Sequence, residues 1–105
     1  MQTPVFEVAV YKVQPEKLDQ FLRIQSTAHD VIKRFKGFKS LHSLRSLESP
    51  DTFVDYCEWE SHDDAQQANA KAATMPELQV FFELGAGMLT FGHYSSLLMT
   101  ANHHE

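Results

Sequence analysis

The sequence predicts an α+β domain with the element order βαββαβ. Three observations lead there: strand-like runs rich in β-branched and aromatic residues, two helical stripes between them, and turn residues at nearly every junction. A chain of 105 residues suits one such domain with a single core.

Val5 to Val13 is the first strand, closed by Gln14-Pro15-Glu16. Pro15 suits a first helical turn. From there Leu18, Phe21, Leu22, Gln25, Ala28, His29, Ile32 and Phe35 recur at three- and four-residue steps until Gly37, which predicts an amphipathic helix. Phe38 to Leu47 alternates loosely, Glu48-Ser49-Pro50-Asp51 supplies a turn, and Thr52 to Glu60 resumes strand character, so the two segments form a hairpin. Ser61 stands three residues before Asp64 in an approximate capping box, with Asp63 and Asp64 placing negative charge at a helix start. The buried face of this second helix is Ala65, Ala68, Ala72 and Met75. Pro76 interrupts it, and a shorter piece with Leu78, Phe81, Phe82 and Leu84 ends at Gly85. Met88 to Met99 reads as the last strand, and residues 100 to 105, with His103 and His104, as a frayed polar tail.

This order is a ferredoxin-like split βαβ arrangement, with both helices on one face of a four-stranded antiparallel sheet. The other face has no cover of its own. Yet the first strand is apolar on both sides, with Phe6, Val8 and Val10 opposing Val5, Ala9, Tyr11 and Val13. In the last strand Leu89, Phe91, Leu97 and Met99 oppose Met88, Tyr94 and Leu98. Two such sheets packed face to face about a twofold axis hide that surface, so a homodimer is expected.

Charge and composition exclude several classes. Fourteen acids against nine bases give a formal charge of −5, and the one local cluster of cations, Lys33, Arg34, Lys36 and Lys39, lies around one helix end, where it complements the macrodipole, an anion site being the alternative. No basic stripe supports nucleic-acid binding. No run reaches the roughly 18 apolar residues of a membrane span. The single cysteine, Cys57, excludes an intrachain disulfide and a thiolate metal cluster, which fits a reducing, cytoplasmic setting. There is no phosphate-binding glycine loop and no Gly-x-Ser-x-Gly elbow. No metal site is expected.

The stretches Val8 to Pro15, Phe35-Lys36-Gly37-Phe38, Tyr56 to Ser61 and Ala65 to Phe82 together resemble the antibiotic-biosynthesis-monooxygenase-like family of dimeric α/β barrels. The most recognisable piece is Trp59-Glu60-Ser61 ahead of the second helix, followed by Met75-Pro76-Glu77-Leu78 and Phe81-Phe82. The resemblance implies a dimer with a pocket between sheet and helices in each protomer, used in several relatives to oxidise small aromatic molecules without metal or flavin, so no cofactor is expected. The haem-degrading branch, similar in layout, uses an Asn on the first strand and a Trp and a His on the second helix. This chain has Ala9, Ala68 and Leu78 there, none of which can ligate iron or donate a hydrogen bond.

If the strand face bearing Ala9 looks toward the helices, as the resemblance implies, Glu7 and Tyr11 share it and become pocket candidates. Gln25 and His29 lie one turn apart in the stripe of the first helix. His29 is either a core histidine satisfied by one hydrogen bond or a general base near neutral pH. His42 and His93 fall on the expected edge strands, where solvated histidines are commonplace. Trp59 reads as a packing anchor or a stacking residue, with Asp55 on its strand face. Asn69 is a solvated flank residue or a substrate amide. Alanines at 65, 68 and 72 mean either a helix lying close to the sheet or a cavity, which Phe81 and Phe82 would then line.

The leading expectation is a cofactor-independent, monooxygenase-like enzyme for a small phenolic or quinol-type molecule. His29 or Tyr11 would assist proton removal, Gln25 or Asn69 would orient an oxygen, and Glu7, Asp55, Trp59 and Phe82 would contact substrate. The alternatives are a non-catalytic ligand-binding or stress-related barrel protein, and a purely structural dimer with no pocket.

Overall fold

The structure, a computed structural model, describes residues 3–102. His103 and His104 of the predicted tail lie outside the described residues. The chain runs β1 (Val5–Lys12), a 3-10 turn (Pro15–Lys17), α1 (Leu18–Ile32), β2 (Phe38–Arg45), β3 (Thr52–Trp59), α2 (His62–Ala72), α3 (Pro76–Leu84) and β4 (Gly87–Ser95). The four strands form one antiparallel sheet in the order β2-β3-β1-β4. This is the ferredoxin-like α+β arrangement, with β2 and β4 at the edges.

Local chemistry fixes the helix boundaries. Pro15 opens the first turn, where a missing N–H costs nothing. Ser61 Oγ accepts the Asp64 N–H at 3.1 Å, capping α2. Extended Met75 followed by Pro76 separates α2 from α3. Gly37 carries the chain from α1 into β2 at φ +83°, and a Cβ there would overlap the Asp64 carboxylate, so the turn and the buried head of α2 require each other.

One face of the sheet carries the helices. Its core gathers Tyr11, Val13, Phe21, Ala28, Phe53, Leu78 and Phe81, and a second cluster joins Cys57, Trp59, Ala65 and Ala68. Phe21 stacks on Phe81 at 5.3 Å and lies 4.9 Å from Phe53, tying α1 to α3 and to the sheet. The opposite face shows Phe6, Val8, Val10 and Val54 half-buried, with Leu44, Tyr56 and Tyr94 exposed. It is apolar, as the alternation in β1 predicts.

Four sequence expectations need correction. β4 ends at Ser95 rather than Met99, and Leu97, Leu98 and Met99 are exposed. The ladder stops because Ser95 pairs with Val5, the first residue of β1, and Pro4 before it has no N–H to donate. β2 ends at Arg45 rather than Leu47, which is exposed, because the chain turns there, with Ser46 N–H bonded to Thr52 O at 2.9 Å. The buried stripe of α1 passes through Phe21, Ile24, Ala28, Val31 and Ile32, which turns Leu22 and Gln25 onto a flank.

The fourth correction concerns the edge strands. Lys39 in β2 and Leu89 in β4 are extra residues where the registers shift, so side chains three apart share a face. The pairs Phe38 with Leu41 and Met88 with Phe91 therefore point to the helix side. Met88 and Phe91 do not oppose each other as simple alternation requires.

Candidate functional site

A cavity of about 270 Å³ lies between the sheet and the helices. Its floor is Glu7, Ala9 and Tyr11 from β1, with Asp55, Cys57 and Trp59 from β3; Ala68, Asn69 and Ala72 of α2 form its roof, and Phe81 and Phe82 of α3 one side. Ala68 and Ala72 of the alanine stripe thus face open space, while Ala65 packs with Cys57 and Trp59. Phe82, Met88 and Phe91, each roughly half exposed, stand at the rim.

The antiparallel register of β1, β2 and β3 builds the first polar group. Ala9 pairs with Asp55, and Asp55 with Ser43 on β2. Tyr11 Oη donates to Asp55 Oδ2 at 3.0 Å, and Ser43 Oγ donates to Asp55 Oδ1 at 2.8 Å. His29 Nε2, from α1, lies 2.8 Å from Ser43 Oγ. Ser43 has one hydrogen and gives it to Asp55, so His29 Nε2 carries the proton and donates to the hydroxyl. His29 does not line the cavity, and its hydrogen bond reaches Asp55 through Ser43.

Burial pushes the Asp55 carboxyl above its ordinary value and outweighs the lowering by its bonds to Ser43 and Tyr11 and by the nearby His29; Glu7 adds to the rise. Burial, reinforced by the adjacent Asp55, pushes the Tyr11 phenol well up, so Tyr11 stays a neutral donor at physiological pH. Burial likewise raises the Cys57 thiol, with Glu7, Asp55 and Glu58 contributing, which keeps it an unreactive wall residue.

A second polar group faces the same cavity from the β4 side. Glu7 Oε1 accepts from Asn69 Nδ2 at 2.8 Å and from His93 Nε2 at 2.9 Å. His93 pairs directly with Glu7 across the strands, and the His62 ring lies edge-on to it at 5.1 Å. His93 is thus mostly buried, with 17% of its side chain exposed, unlike the solvated edge histidine the sequence suggests. His42 is exposed, on the open face, opposite Tyr56.

Of the sequence candidates, the structure brings Glu7, Tyr11, Asp55, Trp59, Asn69 and Phe82 to one cavity. It leaves Gln25 half-buried on the flank of α1, outside the wall. Trp59 packs edge-to-face with Phe38, and its Nε1–H is buried without a partner among the described residues. Sequence reasoning missed Ser43 and left His93 open. Period-two spacing puts Ser43 on the face of Leu41 and Arg45, but only the β2–β3 register places it beside Asp55. No group of three or more His, Cys, Asp or Glu side chains among the described residues is arranged to hold a metal ion, and no described helix is long and apolar enough to cross a membrane.

A ferredoxin-like sheet with helices on one face and a cavity between them defines a class of small α+β proteins. Residues 4–77 match the antibiotic biosynthesis monooxygenase family model, and the chain belongs to that family. No curated protein matches it. Among solved structures it is similar to a mutant of SnoaB, a cofactor-independent oxygenase from Streptomyces nogalater (TM-score 0.77, 18% identity, 95% of this chain and 99% of that one). It is also similar to a conserved protein from Methanosarcina mazei Go1 (TM-score 0.74, 18% identity, 91% and 95%) and to Rv0793 from Mycobacterium tuberculosis (TM-score 0.72, 12% identity, 94% and 100%). At these identities the likeness speaks for the fold.

Proposed function

We propose that this protein is a monooxygenase-like enzyme that oxidises a small hydroxyarene in the cavity between sheet and helices, using the substrate's own electrons to reduce O₂. The observation that carries the reading is Asp55: a carboxylate at the wall of an apolar cavity, made more basic by burial and held in place by Tyr11 and Ser43. A carboxylate has about four lone-pair sites, so the two oxygens can accept a substrate hydroxyl beside their present donors.

Asp55 takes the hydroxyl proton. The resulting anion pushes electron density to the carbon para to its oxygen, which forms a C–O bond to O₂. Protonation gives a hydroperoxide, and loss of water with the ring hydrogen breaks the O–O bond and leaves a quinone, so hydroxyarene plus O₂ yields quinone plus water. The nearer Asp55 stands to the basicity of the phenol, the lower the cost of the first step. Tyr11 and Ser43 position the carboxylate, and His29 positions Ser43. No resident cofactor takes part in this scheme.

Oxygen uptake against a panel of phenols and 1-naphthols with a free para position tests it. Turnover above the buffer rate, lost in Asp55→Asn, supports it; uptake no faster than buffer with every member removes it. Both Asp55 oxygens already accept a hydrogen bond, which favours a second reading, a ligand carrier without catalysis. Its mark is a thermal shift on ligand addition with no product.

The proposal includes a homodimer through the open sheet face, where Val8, Val10, Val54, Leu44 and Tyr56 form the apolar surface. Sedimentation of a well-folded monomer at micromolar concentration would refute it.

A further inference from the structure

The cavity holds two carboxylates, Glu7 and Asp55, and among the described residues no lysine or arginine lines it. Glu7 is the less occupied. Both of its hydrogen bonds fall on Oε1, and among the described residues Oε2 receives none. The side chain is only 16% exposed and lines the cavity. Asn69 and His93 both donate to Oε1, and that geometry fixes His93 with its proton on Nε2 and the carboxylate against rotation. A rigid acceptor with an uncommitted oxygen at a mostly apolar wall is a binding group awaiting a donor.

Glu7 and Asp55 are diagonal neighbours across β1 and β3, since Glu7 pairs with Cys57 and Ala9 with Asp55. Their backbones are therefore about 7–8 Å apart. Between them the floor is Ala9, and above it the roof is Ala68 and Ala72, a slot walled by methyl groups. A flat ring laid over that slot, rather than between the two carboxylates, would turn one polar substituent toward Asp55 and another toward Glu7.

We propose that Glu7, clamped by Asn69 and His93, is a second anchor that selects flat aromatic ligands carrying a hydroxyl or amino donor at each end, and rejects those ending in a carboxylate. The inference rests on the cavity being the substrate site but not on any turnover. A ligand with one donor leaves Glu7 Oε2 desolvated and unmatched, and a ligand carboxylate meets two like charges.

The test is calorimetric titration without oxygen, so that binding is read apart from oxidation. The probes are 2,6-dihydroxynaphthalene, 6-methoxy-2-naphthol and 6-hydroxy-2-naphthoic acid. The expected result is that the diol binds at least about tenfold more tightly than the methyl ether, as for a hydrogen bond to a charged acceptor, and that the acid gives no measurable heat. In Glu7→Gln the diol-to-ether ratio falls below about threefold and the acid gains affinity. Asn69→Ala, which keeps the charge and loosens the clamp, lowers the ratio to an intermediate value. Equal affinity for diol and ether in the unsubstituted protein, a ratio unchanged in Glu7→Gln, or no binding of any probe overturns the proposal. Selective binding together with no turnover across the phenol and 1-naphthol panel would leave the anchor standing and remove the oxygenase reading.

Discussion

Ala68→Leu turns the presence of the cavity into a measurable sign. Ala68 is 6% exposed and lines the cavity roof, so the three added carbons have empty space to enter. At about 0.8 kcal/mol per buried methylene, the gain is at most roughly 2.4 kcal/mol, and ordering the leucine side chain returns about 0.5–1 kcal/mol. A net stabilisation of about 1–2 kcal/mol follows, a rise in Tm of roughly 5–10 °C for a domain of this size. Ala65 is the control: it is 0% exposed, sits in the same helix against Trp59 and Cys57, and does not line the cavity. Ala65→Leu overpacks a filled region and costs about 1–3 kcal/mol. Urea unfolding at constant m-value reads both, and the 2,6-dihydroxynaphthalene titration adds a second signature, because Ala68→Leu should abolish binding while raising stability. If both substitutions destabilise alike, the space beneath α2 does not exist and the site reasoning fails with it.

Asp55→Asn removes a carboxyl whose value burial raises. Stability from such a group is present below the ordinary aspartate range and lost as pH climbs through the folded-state value. The stability of the asparagine variant relative to the parent should therefore rise as pH climbs from about 3 toward 7–8; a pH series of urea midpoints reads it, and a difference that does not change with pH refutes it. The same carboxylate should set the acid limb of kcat/KM above the ordinary value of about 3.9, and Ser43→Ala, which deletes a bond that lowers it, should move that limb to higher pH. Gly37→Ala should cost about 1–3 kcal/mol in chemical denaturation, because the added methyl meets Asp64 at a positive φ. Hemin titration should give no specific Soret band, since Ala9, Ala68 and Leu78 offer iron no ligand.

Several elements were readable because chemistry with one local meaning punctuates them: Pro15 and Pro76 open helices, Ser61 caps another, and Gly37 turns the chain into β2, although α1 itself ends earlier than the stripe predicts, at Ile32. The two-sided apolar pattern of β1 likewise grouped the residues of each sheet face, while which face meets the helices was implied only by the family resemblance. What escaped was set by pairing rather than by local sequence. Ser43 and Asp55 are 12 residues apart and Glu7 and His93 are 86 apart, and only strand register brings them together. Gln25 misled for the opposite reason: a stripe of three- and four-residue steps spans more than one helix face, and packing against the sheet decided which edge of it turned inward.

The extra residue at Leu89 bears on how this mouth can be altered. Because Met88 and Phe91 both stand at the opening by virtue of a count of backbone units, trimming one residue from β4 would swing one of them outside while leaving every hydrophobic side chain in the chain except the deleted leucine. The width of this opening is therefore set by chain length as well as by side-chain identity.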